Sequence, residues 1–307
     1  MADTKLTALS ELSVLALDDL AYVVDDPAGT PVSNKISQNR VGGLLNRGVC
    51  QGRLTTESGV PVSTSDRTAQ GTIYFTPYNG NLLTVYDGTR WKLYAFSEIS
   101  LALTVTSGSN YDVFVYDNAG TLTLELSAAW TNDTTRSAAI SLQDGIYVKD
   151  GATTRRWLGT IRASGSNVTA DSTTLRFVWN AYNQLLRGLY SSDVSNSHTY
   201  TTATLREWNA GTGAVRLEIV VGSATSSQAW IIGNIANAAE LYAEVDSVTA
   251  IVEPAIVSYN GNTSALIGGT PGLRVLAPGY HYFAQQERGS GAAGTFNNFR
   301  AGVLLAN

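Results

Sequence analysis

The chain has 307 residues, 44% of them hydrophobic and only 15% charged, with a net charge of −5. That length allows two or three domains with real cores, while the absence of a basic cluster argues against nucleic acid, and no apolar run approaches the ~20 residues that cross a bilayer as a helix. A single cysteine, Cys50, excludes an intramolecular disulfide, and no basic stretch followed by an apolar one marks a secretory leader, so synthesis in a reducing cytoplasm is expected.

Residues 1–45 differ from the rest. Leu6, Leu9, Leu12 and Leu15 sit in a Ser/Ala-rich lead-in. Leu20 to Val24 reads as a short apolar strand, Asp25 to Gly29 as a turn, and Val32 to Ser37 as a returning strand. A helical turn begins at Gln38, and Gly42-Gly43 is expected to break it. Two short strands bury too little to fold alone. This segment is therefore expected to dock on something else, through Leu20, Tyr22, Val23, Val24, Val32 and Ile36.

Residues 46–97 read as a small β domain. Strands are predicted at Arg53–Thr55, Thr72–Thr76, Leu82–Tyr86 and Trp91–Phe96. Asp87-Gly88 closes the last two into a hairpin. Pro61 marks an edge or turn, because proline cannot donate to a ladder.

Residues 98–307 form the larger unit, with room for an internal subdivision. Its centre is Asn110–Trp130, a β-hairpin. Leu122, Leu124 and Leu126 share one face of the second arm, and Thr121, Thr123 and Glu125 the other. The first arm, Tyr111 to Tyr116, is apolar on both faces and is expected to be covered twice. Asp117 to Gly120 supplies the turn, with Gly120 free to take positive φ. Further strands are predicted near 99–105, 145–149, 156–162, 174–182, 199–208, 214–221, 228–235, 239–246, 249–253, 271–276, 280–286 and 299–305. This spacing predicts an antiparallel β-sandwich or jelly-roll-like domain. The fold class is all-β: a short anchor, a small β domain and a larger sandwich.

No catalytic constellation is visible. His198 and His281 have no metal-ligand spacing around them. The carboxylates Asp25/Asp26, Asp112/Asp117 and Asp144/Asp150 read as turn residues. Cys50 reads as a small buried residue. No cofactor and no metal are expected. Among the aromatics, Trp91, Trp157, Trp179 and Trp230 fall in strands and read as core. Trp208 and Tyr182 lie near polar loops and are the candidate ligand surface.

Two stretches carry a family resemblance. The opening, with Thr4-Lys5-Leu6, the strand from Asp19-Leu20 to Asp25 and the Lys35-Ile36-Ser37 return, resembles the N-terminus of tailed-bacteriophage structural proteins. Gly52-Arg53-Leu54-Thr55, Tyr74-Phe75-Thr76-Pro77-Tyr78 and Val85-Tyr86-Asp87-Gly88-Thr89-Arg90-Trp91 resemble a domain of phage tail and virion proteins. The resemblance implies a non-enzymatic virion component made in the bacterial host cytoplasm, anchored by residues 1–45 to capsid, neck or baseplate proteins. It implies a fibre or spike subunit, usually a homotrimer. Two further readings stand beside it: a head decoration protein, and a module binding a host receptor or surface glycan.

Overall fold

The computed structural model describes residues 19–25, 32–194, 197–211, 216–236, 239–250, 255–259, 265–291 and 293–306, with the backbone alone for 22–25, 32–33, 243, 255–259 and 265–272. β1 (Leu20–Asp25) and β2 (Val32–Ser37) pair antiparallel and join no other sheet among the described residues. The expected turn at 26–29 and the lead-in before Asp19 lie outside the described residues.

α1 (Gln38–Leu45) follows at once and runs through both glycines. The predicted break at Gly42-Gly43 is thus corrected, and the reason is tertiary. A Cβ at Gly43 would lie 2.2 Å from the Trp91 carbonyl oxygen, and one at Gly42 would lie 2.6 Å from Leu93 Cδ2. The intrinsic helix cost of about 1 kcal/mol per glycine is offset because only glycine lets the helix backbone lie directly on the strand below.

β3 (Gly52–Thr55), β5 (Thr72–Pro77) and β8 (Ile99–Ala102) form a three-stranded sheet, and β6 (Leu82–Tyr86) pairs with β7 (Trp91–Ala95). β4 (Arg67–Gln70) leaves this group for the large sheet. Then comes the hairpin of β9 (Asn110–Asn118) and β10 (Thr121–Leu126), in the register Leu122↔Asp117 and Leu124↔Val115. Ala119 and Gly120 both have positive φ, which fits the right-handed twist of a two-residue hairpin turn.

After β11 (Ile140–Gln143) and β12 (Ile146–Lys149) runs β13 (Ala152–Gly165), the spine of the molecule. It pairs with β9, β12, β14 (Val168–Asp171) and β16 (Val178–Asn180). β15 (Leu175–Arg176) pairs parallel with β20 (Leu217–Val221). The remaining strands are β17 (Leu186–Asp193), β18 (His198–Tyr200), β19 (Arg206–Glu207), β21 (Thr225–Ala236), β22 (Ala239–Val245), β23 (Ala255–Tyr259), β24 (Ala265–Leu276), β25 (Gly279–Arg288) and β26 (Gly294–Ala306). They complete a fourteen-stranded sheet and a five-stranded one, the latter in the order β17-β26-β21-β24 with β18 beside β26. The two face each other as a sandwich, so the chain is all-β as its spacing predicts. Five described strands that the patterning leaves out, β4, β11, β14, β17 and β23, are short, polar or both. Part of the predicted 249–253 strand lies outside the described residues; 248–249 are bends and 250 is irregular.

Three hydrophobic clusters hold these layers. One joins Cys50, Leu54, Ile73, Phe75, Leu83 and Val85 to Val113, Val115, Leu124, Leu158 and Ile161, so it crosses position 97 without interruption. The second sets Phe114, Trp157 and Trp179 against Leu189, Ala229, Val303 and Leu305 of the facing sheet. The third gathers Trp208, Ile231, Leu241, Phe296 and Phe299. The first arm of the central hairpin is therefore covered twice, by the first cluster on one face and the second on the other, both from its own chain. β13 also carries buried Arg156, which donates to the carbonyls of Val49 and Thr84 at 2.8 Å each and stacks over Tyr182. A buried guanidinium needs such partners, and here they tie residues 48–84 to the spine.

Candidate functional site

Two surfaces stand out, one at each end of the chain's logic: the N-terminal arm and the outer face of the five-stranded sheet.

The arm is the β1–β2 hairpin and α1. Asp19 accepts from the Gln38 backbone N–H at 2.9 Å, which ties the hairpin to the helix start. α1 lies on β7 through Gly42 and Gly43. Its apolar residues do not all turn inward: Leu44 is 62% exposed and Leu45 74%. Leu20, on β1, is exposed as well, and Ile36 is half-buried. Tyr22, Val23, Val24 and Val32 occupy strand positions whose side chains lie outside the described ones.

Beside the arm lies a cavity of 330 Å³, lined by Ile36, Arg40, Leu44, Arg47, Arg90 and Trp91, with Asp144 at its rim. Arg40 and Leu44, four residues apart on α1, share one face of the helix; Ile36 reaches the cavity from the end of β2 and Arg47 from just beyond the helix. Trp91 is buried, and its Nε1 donates to Asp144 Oδ2 at 3.0 Å. That hydrogen bond, with one from Gln143 Nε2, holds the Asp144 carboxyl below its ordinary value. Arg47 stands 3.9 Å from the same carboxylate.

The second surface follows from the period of two. Along β17, Leu189, Ser191 and Asp193 point into the sandwich, while Leu186, Tyr190 and Ser192 point out. Tyr190 and Trp230 both register with Gly302 of β26, one from each side. Their ring centroids are 6.2 Å apart at 37°. The Trp230 indole lies over Gly302, where a Cβ would come within 2.4 Å of Cε2. Tyr190 is 44% exposed, and Leu304, Gln228 and Arg300 complete the face around the two rings. Toward β24 the face becomes aliphatic, with exposed Leu273 and Val275.

These positions correct the sequence reading of the aromatics. Trp208 is 0% exposed; its Nε1 donates to Asp193 Oδ2 at 3.0 Å and its rings pack on Phe296 and Phe299. Tyr182 is mostly buried against the first cluster and under Arg156. Trp208 therefore cannot be a ligand surface, and Tyr182 offers only a part of its ring. Trp230, read as core, is instead only partly buried, on the outer face of the sheet. The signal was available in the alternation of β21, whose buried positions are the odd ones from Thr225 to Ile235 and leave Trp230 outside.

Several titratable groups singled out in the sequence have structural partners. Asp112 is not in a turn: it is fully buried in mid-strand and accepts from Trp130 Nε1, Trp157 Nε1, Thr160 Oγ1 and Arg136 Nε at 2.7–3.0 Å. His198 faces Glu287, and His281 faces Asp246. Burial pushes the Cys50 thiol up, which keeps it protonated and inert. Among the described residues no group of His, Cys, Asp or Glu could hold a metal ion, and no helix is long and apolar enough to cross a membrane.

No protein-family model matches the chain, and no curated protein matches it. Among solved structures, the mosquito-larvicidal Cry4Aa toxin of Bacillus thuringiensis aligns at TM-score 0.24 and 9% identity, over 80% of this chain and 50% of the toxin. The VP2 subviral particle of infectious bursal disease virus aligns at TM-score 0.26 and 10% identity, over 86% of this chain and 77% of VP2. An exo-β-1,3-galactanase from Phanerochaete chrysosporium aligns at TM-score 0.18 and 12% identity, over 93% of this chain and 74% of the enzyme. The chain thus spans half the length of the toxin.

Proposed function

We propose that this chain is a non-enzymatic structural subunit of a tailed-phage particle, attached through residues 1–45 and displaying its β-sandwich outward as a fibre or spike element. The observation that carries the reading is the arm. Its hairpin joins no other described sheet, and its helix presents Leu44 and Leu45 to solvent. Exposed leucines on a short, independently paired element are expected to meet a partner. The resemblance of residues 4–37 and 52–91 supplies the kind of partner, another virion protein of capsid, neck or baseplate. A head decoration protein would use the same arm.

The test is incorporation of the full-length chain into particles. Leu20→Asp with Leu45→Asp places two charges on surface leucines that hold up no core. Loss of incorporation with an unchanged melting temperature supports attachment through the arm; normal incorporation overturns it.

A second reading, recognition of a host receptor or surface glycan, is favoured by the Tyr190–Trp230 pair. Aromatic faces held flat on a sheet stack on the C–H face of a sugar ring, and Arg300 beside them suits an acidic one. Glycan-array binding that Trp230→Ala abolishes supports it; silence across the array counts against it. Homotrimerisation, the third element of the reading, draws on low charge and on the aliphatic flank at Leu273 and Val275. The doubly covered arm of the central hairpin lends it nothing, since the same chain covers both faces. Light scattering at micromolar concentration checks it: a mass near 32.6 kDa would mean a monomer.

A further inference from the structure

We propose that the cavity between α1 and the β6–β7 turn receives a short segment of the attachment partner in which carboxylates flank an aliphatic side chain. This rests on the reading of residues 1–45 as the attachment element.

The first ground is charge. The chain carries −5 overall, yet Arg40, Arg47 and Arg90 converge on this one cavity, against Asp144 alone. Asp144 is already engaged, by the Trp91 indole, by Gln143 and by Arg47. The Arg40 and Arg90 guanidinium groups have no hydrogen-bond or ion-pair partner among the described residues. Guanidinium is weakly hydrated and pairs with carboxylate through two parallel hydrogen bonds. Two unpaired ones beside a concave apolar wall therefore favour an incoming carboxylate, and a basic segment would be repelled.

The second ground is the wall itself. Leu44 sits one helical turn from Arg40 on α1, Ile36 adds a second aliphatic side chain from the end of β2, and the buried Trp91 lies on the strand beneath. A bare inorganic anion would satisfy the arginines and leave Leu44 in water. An aliphatic side chain set between carboxylates would cover Leu44 and reach both guanidinium groups. The third ground is size. At 330 Å³ the cavity is at the low end of the roughly 300–1,000 Å³ of ligand clefts. It fits a few residues of an extended segment and no folded domain. Its place matters too: it lies where the arm meets the body, so its occupant would bridge α1 to the β6–β7 turn and fix the angle of the arm.

The experiment uses the full-length chain and two capped tripeptides, acetyl-Glu-Leu-Asp-amide and acetyl-Lys-Leu-Lys-amide, with sodium sulfate as the plain-anion control. Binding is followed by the side-chain N–H resonances of Arg40 and Arg90. The acidic peptide is expected to give saturable shifts at both arginines that weaken as salt rises. Arg40→Glu with Arg90→Glu should reduce its affinity by about tenfold or more. The absence of a saturable shift at about 10 mM peptide, an equal response to the lysine peptide, or unchanged affinity in the double variant would overturn the proposal. Sulfate binding as tightly as the acidic peptide would overturn its aliphatic half and leave a plain anion site. Particle incorporation separates this inference from the attachment reading. If Arg40→Glu/Arg90→Glu joins particles normally, the pocket assignment fails and attachment stands. If Leu20→Asp/Leu45→Asp joins normally, the attachment reading fails, whatever the peptide does.

Discussion

Asp112 Oδ1 accepts the indole N–H of Trp157 at 3.0 Å, from one central strand to the next, in a place that solvent does not reach. The other carboxylate oxygen takes Trp130 Nε1 at 3.0 Å and Arg136 Nε at 2.8 Å. A buried charge is tolerated only when paired and hydrogen-bonded, and this one is fully satisfied. Asp112→Ala should therefore strand a guanidinium and two indole donors, with a loss of about 3–5 kcal/mol. Denaturant unfolding checks this. A loss within about 1 kcal/mol would mean that the network adds little to stability.

Leu124 is buried opposite Val115 of the neighbouring strand, while Thr123 is partly buried on the other face. Leu124→Asp should cost about 3–5 kcal/mol, since it buries an unpaired carboxylate or forces it to stay protonated. Thr123→Asp should cost within roughly 1 kcal/mol. Thermal melts of the two variants decide it. Equal losses would mean that Thr123 is also covered, and the reverse order would mean a register shifted by one residue.

His281 sets a pH dependence. Its Nδ1 faces Asp246 Oδ2 at 2.6 Å and its Nε2 faces the Ala277 carbonyl at 2.8 Å, so both nitrogens meet acceptors, which favours the protonated ring. Burial pulls its pKa down, but the hydrogen bonds to Asp246 and Ala277 outweigh burial and leave it raised. A raised folded value stabilises the protein fully below the unfolded value of about 6.5. That contribution is lost as pH rises through the folded value. Unfolding free energy should thus fall above about pH 6.5, and His281→Gln should flatten that slope. An identical slope in the variant would remove His281 as its source.

Gly43→Ala sets a methyl group against the Trp91 carbonyl, a backbone atom that cannot swing aside. α1 should lift from β7 at a local cost of about 1–3 kcal/mol, while the sandwich stays intact. Hydrogen exchange should quicken over 38–45 and remain unchanged over 110–126. Unaltered exchange in the helix would mean that the contact yields without strain.

Much of the fold was legible from local pattern. The central hairpin, its Ala119-Gly120 turn, the strands at 72–77 and 82–86 and the burial of Cys50 follow from period-two alternation and turn chemistry. These are short-range rules, settled by neighbours along the chain. The arm was marked as an element apart by its two marginal strands. Its exposed side chains were only half legible: Leu20, expected at the surface of the arm, is exposed, whereas exposed Leu44 and Leu45 were missed because the helix that carries them looked broken.

What the chain alone left undecided was every feature whose partner is distant in sequence. α1 survives Gly42-Gly43 because of Trp91, about fifty residues on. Asp112 is buried because donors from 18 to 48 residues away close around it. Trp208 and Trp230 exchange their expected places because Asp193, Phe296 and Phe299 claim the first, while Gly302 offers the second a flat seat on the outside. Alternation decides which side chains share a face; only the packing of one sheet on another decides which of the two faces meets water.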